Sequence, residues 1–493
     1  MVYQLLNTAS LPELPGSVSI PGYERSGIAT GIVHVGVGNF HRAHEACYTD
    51  QLLNQGERAW GICGICLLEK DLKMYQTLAS QDGLYALVIK EADGNRQIRV
   101  IGSIVEYMHA PPDPSAVIAK MADPGVRIIS LTITEGGYNY DPATGQFNFK
   151  NPDIQWDLLN PDRPRTIFGY LTAAFSLRKQ NGVPGLTVLS CDNIQQNGSV
   201  CRNMLTTYIR ESMPELTDWV ADKVTFPNSM VDRITPATTS RDVEELRDRF
   251  HVEDSWPVSC EPFIQWVIED HFSRGRPPWE LAGVQFTEEV EPFEKMKIRL
   301  LNAGHSLLGF TGSLMGYSTI YEAVGDDLIL RFLRAFMDQE VTPILDSVEG
   351  IDLNAYKETL ISRFSNPHME DRLSRICSES SSKIPKFLIP TIEDQLGRKG
   401  PVKYSALIIA AWCRTLEQPG NGGSVPEVRD AMGDILTEHA LTSVNKDPLA
   451  FLKIEEIFGN LYRSAPFVKT YLPIMESLRA HGLSKTISHI LKA

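Results

Sequence analysis

Ile32-Val-His-Val-Gly36-Val-Gly38-Asn-Phe40-His41-Arg-Ala-His44 is a short apolar run that enters a glycine turn and then a helix extending to about Asn54. A strand, a glycine turn and a helix in that order open a dinucleotide-binding fold. Gly36 lets the chain turn, and Gly38 admits a phosphate close to the backbone N–H groups at the helix start. The third glycine of the usual fingerprint is absent, because position 41 is His. Two glycines gain meaning only from the strand before them and the helix behind them. The 28 residues upstream hold Pro, Ser and Gly without a period and read as an arm over the first domain.

Downstream, Trp60–Leu68 reads as a second apolar strand running into Glu69 and Asp71. An acid at that strand end receives the adenosine ribose hydroxyls and repels a 2′-phosphate, which favours NAD over NADP. The 31 residues from Gly38 to Glu69 exceed the usual spacing of about 20, so the choice between the two acids stays open, and a capping or solvated acid is the plain alternative. Lys70 between them partly offsets their charge. Cys63 and Cys66 lie inside the strand without a second pair, so they read as buried small hydrophobes rather than metal ligands.

Leu84–Lys90 and Gln97–Tyr107 alternate as two strands joined at Asp93-Gly94, an insertion in the sheet. Val126–Ile133 is a further buried strand ending in Thr134-Glu135-Gly-Gly137, and 139–163 reads as a long polar loop. A helix from about Arg165 to Gln180 leads to the strand Leu186–Ser190, with Cys191-Asp192-Asn193 at its end. Polar residues past a parallel strand are where open α/β sheets place their chemistry, so Asn193 is a candidate, although capping the next helix is an equally natural use. A helix pair follows over 197–220. Pro227-Asn-Ser-Met-Val-Asp232-Arg233-Ile-Thr-Pro236 reads as a fixed loop bracketed by prolines. Phe263–Ile268 and Val284–Phe286 read as strands, and the pattern from Lys297 onward is helical, with segments near 328–341, 353–363, 403–415, 426–437 and 464–490.

The chemistry concentrates in Glu294-Lys-Met-Lys297-Ile-Arg-Leu-Leu-Asn302-Ala-Gly-His305. It follows Pro292 and repeats apolar residues at helical spacing. On a regular helix Lys297 and His305 lie about 80° apart, with Asn302 about 60° further round. Lys297 near the helix start meets the positive end of the dipole, which lowers the pKa of an amine. A base tuned toward neutrality beside amide and imidazole donors suits proton removal from an alcohol. The plain alternative is a boundary helix with a solvated lysine.

Bulk properties narrow the classes. The 493 residues imply two domains, 43% hydrophobic and 22% charged residues are ordinary for a folded soluble chain, and a net charge of -14 argues against a nucleic-acid surface. No apolar run reaches membrane-span length, and no signal-peptide pattern is found. Eight scattered cysteines fit a reducing interior, so the cytoplasm is the expected address. His41 and His44 stand at i, i+3 beside Glu45, a spacing open to a metal, but they open the cofactor helix and read as packing. No metal site is expected. The boundary is placed near 286–292, giving a Rossmann-type α/β domain with an inserted β region over 1–288 and a mostly α-helical domain over 289–493.

Lys297-x4-Asn302-x2-His305, Ser-Cys-Asp-Asn193 and the proline-bracketed 227–236 segment together resemble the polyol-specific long-chain dehydrogenases, the mannitol dehydrogenase family. Gly-Val-Gly-Asn-Phe-His-Arg-Ala-His matches that family's variant fingerprint, which accounts for the missing third glycine. Leu-Thr-Ile-Thr-Glu135-Gly-Gly-Tyr and Ser381-Ser-Lys383-Ile-Pro-Lys386-Phe match as well. The resemblance implies metal-independent interconversion of D-mannitol and D-fructose with NAD(H). It implies Lys297 as general base and acid, Asn193 and Asn302 as holders of the reacting oxygen, and His305 as a substrate-positioning group. Gly36, Gly38, Asn39 and Phe40 would bind the cofactor with Glu69 and Asp71. Glu294, at i, i+3 to Lys297, would pass a proton to solvent, or serve only as a favourable first-turn acid. Asp232, Arg375 and Lys383 would grip the polyol, with a surface or interdomain ion pair as the alternative for Arg375. The relatives in competition are fructuronate and tagaturonate reductases, arabinitol dehydrogenase and mannitol-1-phosphate dehydrogenase. A catalytically silent nicotinamide sensor is the answer of a different class. The resemblance leans toward a monomer, with a dimer as the alternative, and the hydropathy and charge imply no membrane or nucleic-acid partner.

Overall fold

A computed structural model describes residues 5–141, 145–417 and 429–492, and divides the chain into two compact units, Met1–Glu291 and Pro292–Ala493. The first is built on five parallel strands: Thr30–Val35 (β1), Gly61–Cys66 (β2), Ile104–His109 (β3), Ile128–Leu131 (β4) and Thr187–Ser190 (β5). Their order is β3-β2-β1-β4-β5, with every pairing parallel. Side chains alternate between the two faces. Val33, Val35, Cys63, Ile65, Ile129 and Leu131 join the core under helices Pro114–Ala122 and Ile167–Gln180. Ile32, Ile62, Ile128 and Leu189 join an opposite core with Tyr48, Leu52 and Trp266. Because both faces are covered, β2, β4 and β5 are buried throughout, as their unbroken apolar runs require. The strand order reverses between β1 and β4, and a crevice at their carboxyl ends is where such sheets bind ligands.

The expected strand Gln97–Tyr107 is two strands in different sheets. Arg96–Ile101 pairs antiparallel with Tyr85–Lys90, whereas Ile104–His109 is β3. The chain changes sheet at Gly102, whose N–H donates to Asp50 and where a Cβ would collide with Pro21. The hairpin forms a four-stranded sheet with Val18–Ser19 and Val258–Cys260. The expected loop over 139–163 holds the helix Pro152–Leu159, started by proline and capped by the Asn151 side chain; 142–144 lie outside the described residues. The expected loop over 227–236 begins as the strand Ser229–Asp232, antiparallel to Gln265–Glu269, which pairs parallel with Gln285–Thr287.

Among the described residues the second unit is helical. Lys403–Leu416 is buried on nearly all sides, and Ala303–Met315 and Ala465–His481 pack against it. The expected helix over 464–490 breaks at Gly482 (φ 77°) into Ala465–His481 and Leu483–Lys492. That expected near 426–437 is Gly433–Asn445, residues 426–428 lying outside the described residues. No described helix is long and apolar enough to cross a membrane.

Candidate active site

The glycine turn follows β1. Gly36 has φ 95° and a Cβ there would sit 2.1 Å from the Thr132 carbonyl, so the fold itself demands glycine. Gly38 has an ordinary φ of -80°, and a Cβ there would approach no protein atom closer than the Gly36 carbonyl at 3.9 Å. Nothing among the described residues requires that second glycine. The space it leaves lies where the fingerprint expects a dinucleotide phosphate.

The helix behind the turn is not continuous to Asn54. It runs Asn39–Ala43, breaks at His44 (φ -122°, ψ -94°) and restarts as Glu45–Asn54. The break has identifiable partners, since carbonyls freed from a helix must be satisfied. The Arg42 carbonyl accepts from Tyr85 Oη at 2.6 Å and the Ala43 carbonyl from Arg233 Nη1 at 2.6 Å. His44 Nε2 faces the Gln265 carbonyl at 2.9 Å. Arg233, from the proline-bracketed segment, is thus buried as the cap of a helix, while Asp232 beside it is buried at a strand end. Of the two expected cofactor residues in the first turn, Asn39 Nδ2 lies 3.3 Å from both the Pro236 carbonyl and Thr238 Oγ1, and Phe40 stacks on His44 at 4.8 Å.

His41 and His44 do not converge on one point. His41 stacks on His34 of β1 with ring centroids 3.4 Å apart, and both Nδ1 atoms approach Glu45 Oε2, at 3.2 and 2.9 Å. These are hydrogen-bonding separations. Burial drives the His41 imidazole down to about 3. Burial alone would raise the Glu45 carboxyl, but the two imidazoles hold it well below the usual range.

At the end of β2 the two candidate acids separate. Asp71 Oδ2 accepts from Leu68 N at 3.3 Å, capping the turn that contains Glu69. Glu69 is exposed and lines a cavity of about 540 Å³ with Leu68, Trp156, Arg163 and Arg165. Of the two, Glu69 is the acid left exposed beside the cavity, and Asp71 has a structural use.

The ends of β4 and β5 are tied by a residue that sequence reasoning passed over. Asp192 is buried and its carboxylate accepts from Ile133 N (3.0 Å), Thr134 N (2.8 Å) and Tyr138 Oη (2.7 Å). Burial raises this carboxyl despite those three donors. They hold Thr134 at φ 64°, a left-handed conformation that is costly for a β-branched residue and typical of functional sites. Asn193 is the next residue, exposed at the strand end. The only signal in the sequence was an acid beside the candidate amide.

In the second unit the helix starts at Glu291, so Lys297 is its seventh residue and lies beyond the first turn. The expected place near the helix start is not found, and the field of the helix end fades within one turn. The regular-helix geometry fails too. Ile298–Asn302 is a π-helical turn, with Ala303 N donating to the Ile298 carbonyl, before α-helix resumes at Ala303–Met315. A π turn absorbs one extra residue and sets the downstream face back by about 100°. The spread of Lys297, Asn302 and His305 therefore shrinks from about 140° to about 60°. On that helical geometry the three positions fall on one stripe, which regular periodicity does not give. Glu294 and Lys297 are 6% and 5% exposed, so this end of the stripe is shielded from bulk water. Asn302 Oδ1 is buried and meets no hydrogen-bond partner among the described residues, and the His305 ring lies 4.7 Å from that of Phe364.

Arg375 and Lys383 have local uses in the same unit. Arg375 forks onto Asp371, and Lys383 Nζ donates to the carbonyls of Ile376 (3.1 Å) and Ser378 (2.6 Å). Burial, and then the nearby Arg375 charge, lower the Lys383 pKa.

Residues 30–281 match the mannitol dehydrogenase Rossmann domain, and residues 289–478 the mannitol dehydrogenase C-terminal domain. The chain is 44% identical over 478 residues to mannitol 2-dehydrogenase of Aspergillus clavatus, covering 95% of each chain. It is 43% identical to that of Phaeosphaeria nodorum over 98% of this chain and 85% of the other. Among solved structures it resembles Pseudomonas fluorescens mannitol 2-dehydrogenase in a ternary complex with NAD and D-mannitol, at TM-score 0.89 and 43% identity, covering 99% of this chain and 100% of that one. A substrate-free D-sorbitol dehydrogenase matches at TM-score 0.89 and 36% identity, covering 98% and 100%. A Rossmann-type sheet with this glycine turn, followed by a helical unit carrying the lysine stripe, places the chain in the mannitol dehydrogenase family.

Proposed function

We propose that this chain is an NAD-dependent polyol dehydrogenase that interconverts D-mannitol and D-fructose, with Met1–Glu291 holding the cofactor and Pro292–Ala493 supplying the base. The observation that carries the reading is the Lys297, Asn302 and His305 stripe, brought together by a π turn in a chain with near full-length mannitol 2-dehydrogenase relatives. The cofactor would lie over Gly36 and Gly38 with its ribose hydroxyls toward Glu69, and when bound it supplies the hydride acceptor or donor. Lys297 takes the proton from the substrate hydroxyl in oxidation and returns it in reduction. Asn193 and Asn302 hold the reacting oxygen as negative charge develops, an effect on the order of 3 kcal/mol per donor. His305 orients the sugar, Glu294 passes the proton onward from Lys297, and Asp232, Arg375 and Lys383 hold the remaining hydroxyls. The reading takes the enzyme as a monomer of the cytoplasm without a macromolecular partner.

The test is NADH oxidation followed at 340 nm with D-fructose, L-sorbose, D-xylulose, D-fructuronate and fructose 6-phosphate in parallel. Preference for fructose is expected; preference for another acceptor moves the error to the polyol grip, and silence with NADH bound revives the sensor. Lys297→Ala is expected to keep NADH binding while losing at least a hundredfold in kcat from pH 6 to 10. Near-parental fructose reduction by that variant would remove Lys297 from the mechanism.

A further inference from the structure

The reaction makes no use of the most polar cluster in the first core. His34, His41 and Glu45 are each at most 1% exposed and lie directly behind the glycine turn. Glu45 Oε2 meets His34 Nδ1 (2.9 Å), His41 Nδ1 (3.2 Å) and Ser130 Oγ (2.9 Å). On its far side, His34 Nε2 faces Thr132 Oγ1 at 2.9 Å and the Gly36 carbonyl at 3.3 Å. Thr132 Oγ1 also donates to that carbonyl at 2.6 Å, and Gly38 N donates to it at 2.7 Å. The Gly36 carbonyl is thus the hub of the turn, and a continuous line of hydrogen bonds runs from it to Glu45.

Counting hydrogens fixes the roles. The single hydroxyl hydrogen of Thr132 goes to the Gly36 carbonyl, so the contact with His34 needs a hydrogen on Nε2. Nδ1 of the same ring lies 2.8 Å from Ser130 Oγ and 2.9 Å from Glu45 Oε2. His34 and Ser130 together therefore face the Glu45 carboxylate, and His34 links it to the glycine turn. A buried carboxylate left without such a partner would be far too costly to keep.

His41 occupies the fingerprint position where a third glycine ordinarily lets helix and strand pack closely. Here a flat imidazole stacked on His34 fills that space, and Glu45 clamps both rings. We propose that Glu45, acting through His34 and His41, is a positioning residue for dinucleotide binding, doing in this chain what the third glycine does elsewhere. It fixes the His34 ring, whose Nε2 meets Thr132 Oγ1 and the Gly36 carbonyl, and so holds that carbonyl in the orientation that shapes the Gly36–Gly38 turn. Glu45 touches neither substrate nor cofactor. The inference rests on the NAD reading above.

The experiment is a fluorescence titration of NADH into the parental chain, Glu45→Gln and Ser130→Ala, with kcat and both KM values measured alongside. Glu45→Gln removes the carboxylate that clamps both imidazole rings. Its NADH Kd is expected to rise at least tenfold and its NADH KM in parallel. kcat at saturating NADH and KM for fructose should stay within threefold. Ser130→Ala removes one donor to Glu45 and leaves the stacked rings, so a rise of about threefold in Kd is expected. An unchanged Kd in soluble Glu45→Gln overturns the proposal, as does a collapse of kcat at unchanged Kd. If Glu45→Gln does not fold, an unchanged Kd in Ser130→Ala overturns it and a raised one supports it. A parental chain that does not bind NADH sinks the cofactor reading itself and this inference with it, an outcome distinct from the others.

Discussion

Single residues at the glycine turn separate what the fold needs from what a ligand needs. Gly36→Ala forces a methyl group onto the Thr132 carbonyl at a left-handed backbone position, and is expected to cost several kcal/mol and most of the soluble yield. Gly38→Ala meets no protein atom closely, so it should melt within about 2 °C of the parent while raising the NADH KM tenfold or more. Equal loss of melting temperature in both variants would show that Gly38 also serves the fold. The acids divide in the same way. Glu69→Ala should raise NADP use relative to NAD, whereas Asp71→Ala should lower the melting temperature of the capped turn by a few degrees and leave cofactor preference near parental. The reverse pattern, read from kcat/KM with each cofactor, would exchange their roles. Both glycines and both acids were legible in the sequence, but their different uses were not. Spacing says which residues are near a turn; it is silent about which backbone atom a Cβ would strike. His41 shows the same limit, since its place in the fingerprint was plain and its stacking on His34 depended on a strand partner no local pattern names.

Among elements, the helix over 291–315 was the easiest to foresee and the easiest to misjudge. Its apolar repeat announced a helix and its Lys, Asn and His announced chemistry. A π turn, however, leaves no periodic signature, because it changes the phase by one residue without changing the residue types. The strand pair 96–101 and 104–109 was hidden for a related reason, since alternation continues across Gly102 while the partner strand changes. A second π turn, Met337–Val341, holds Glu340, fully buried at the start of helix Lys403–Leu416. Its carboxyl accepts from Tyr404 N (2.8 Å), Ser405 N (2.8 Å) and Ser405 Oγ (2.5 Å). Burial outweighs those donors and pushes the carboxyl up to about 7. A carboxyl raised on folding binds its proton more tightly in the folded state. Its contribution is therefore complete below the ordinary glutamate range and is lost as pH rises through 7. Glu340→Gln cannot ionise, so its melting temperature relative to the parent should improve steadily from pH 5 to pH 8, by an amount on the order of 3 kcal/mol in stability. A difference that stays flat across that range would mean the buried carboxyl does not titrate there.

Across the whole chain, the eight cysteines are all buried and unpaired. Burial pushes the thiols of Cys63 and Cys201 up to about 12 and that of Cys66 to about 11, so few thiolates exist at neutral pH. Ellman's reagent should find fewer than one reactive thiol per native chain and eight after denaturation. Rapid labelling of two or more in the native state would contradict this packing. The two-part organisation and its α/β then α-helical character were readable from the order of strand and helix patterns. The sheet partners were not, since pairing across long stretches of chain is a property of the finished fold. One of those pairings also governs the birth of the molecule. Strand Tyr85–Lys90 waits for Val258–Cys260, about 170 residues downstream, and Leu6 N pairs with the Glu253 carbonyl. At about 5–20 residues per second, a ribosome leaves that apolar strand without its neighbour for roughly 10–35 seconds. The nascent chain therefore carries an open sheet edge for most of the synthesis of its first half, and expression with chaperones present should favour recovery of the intact protein.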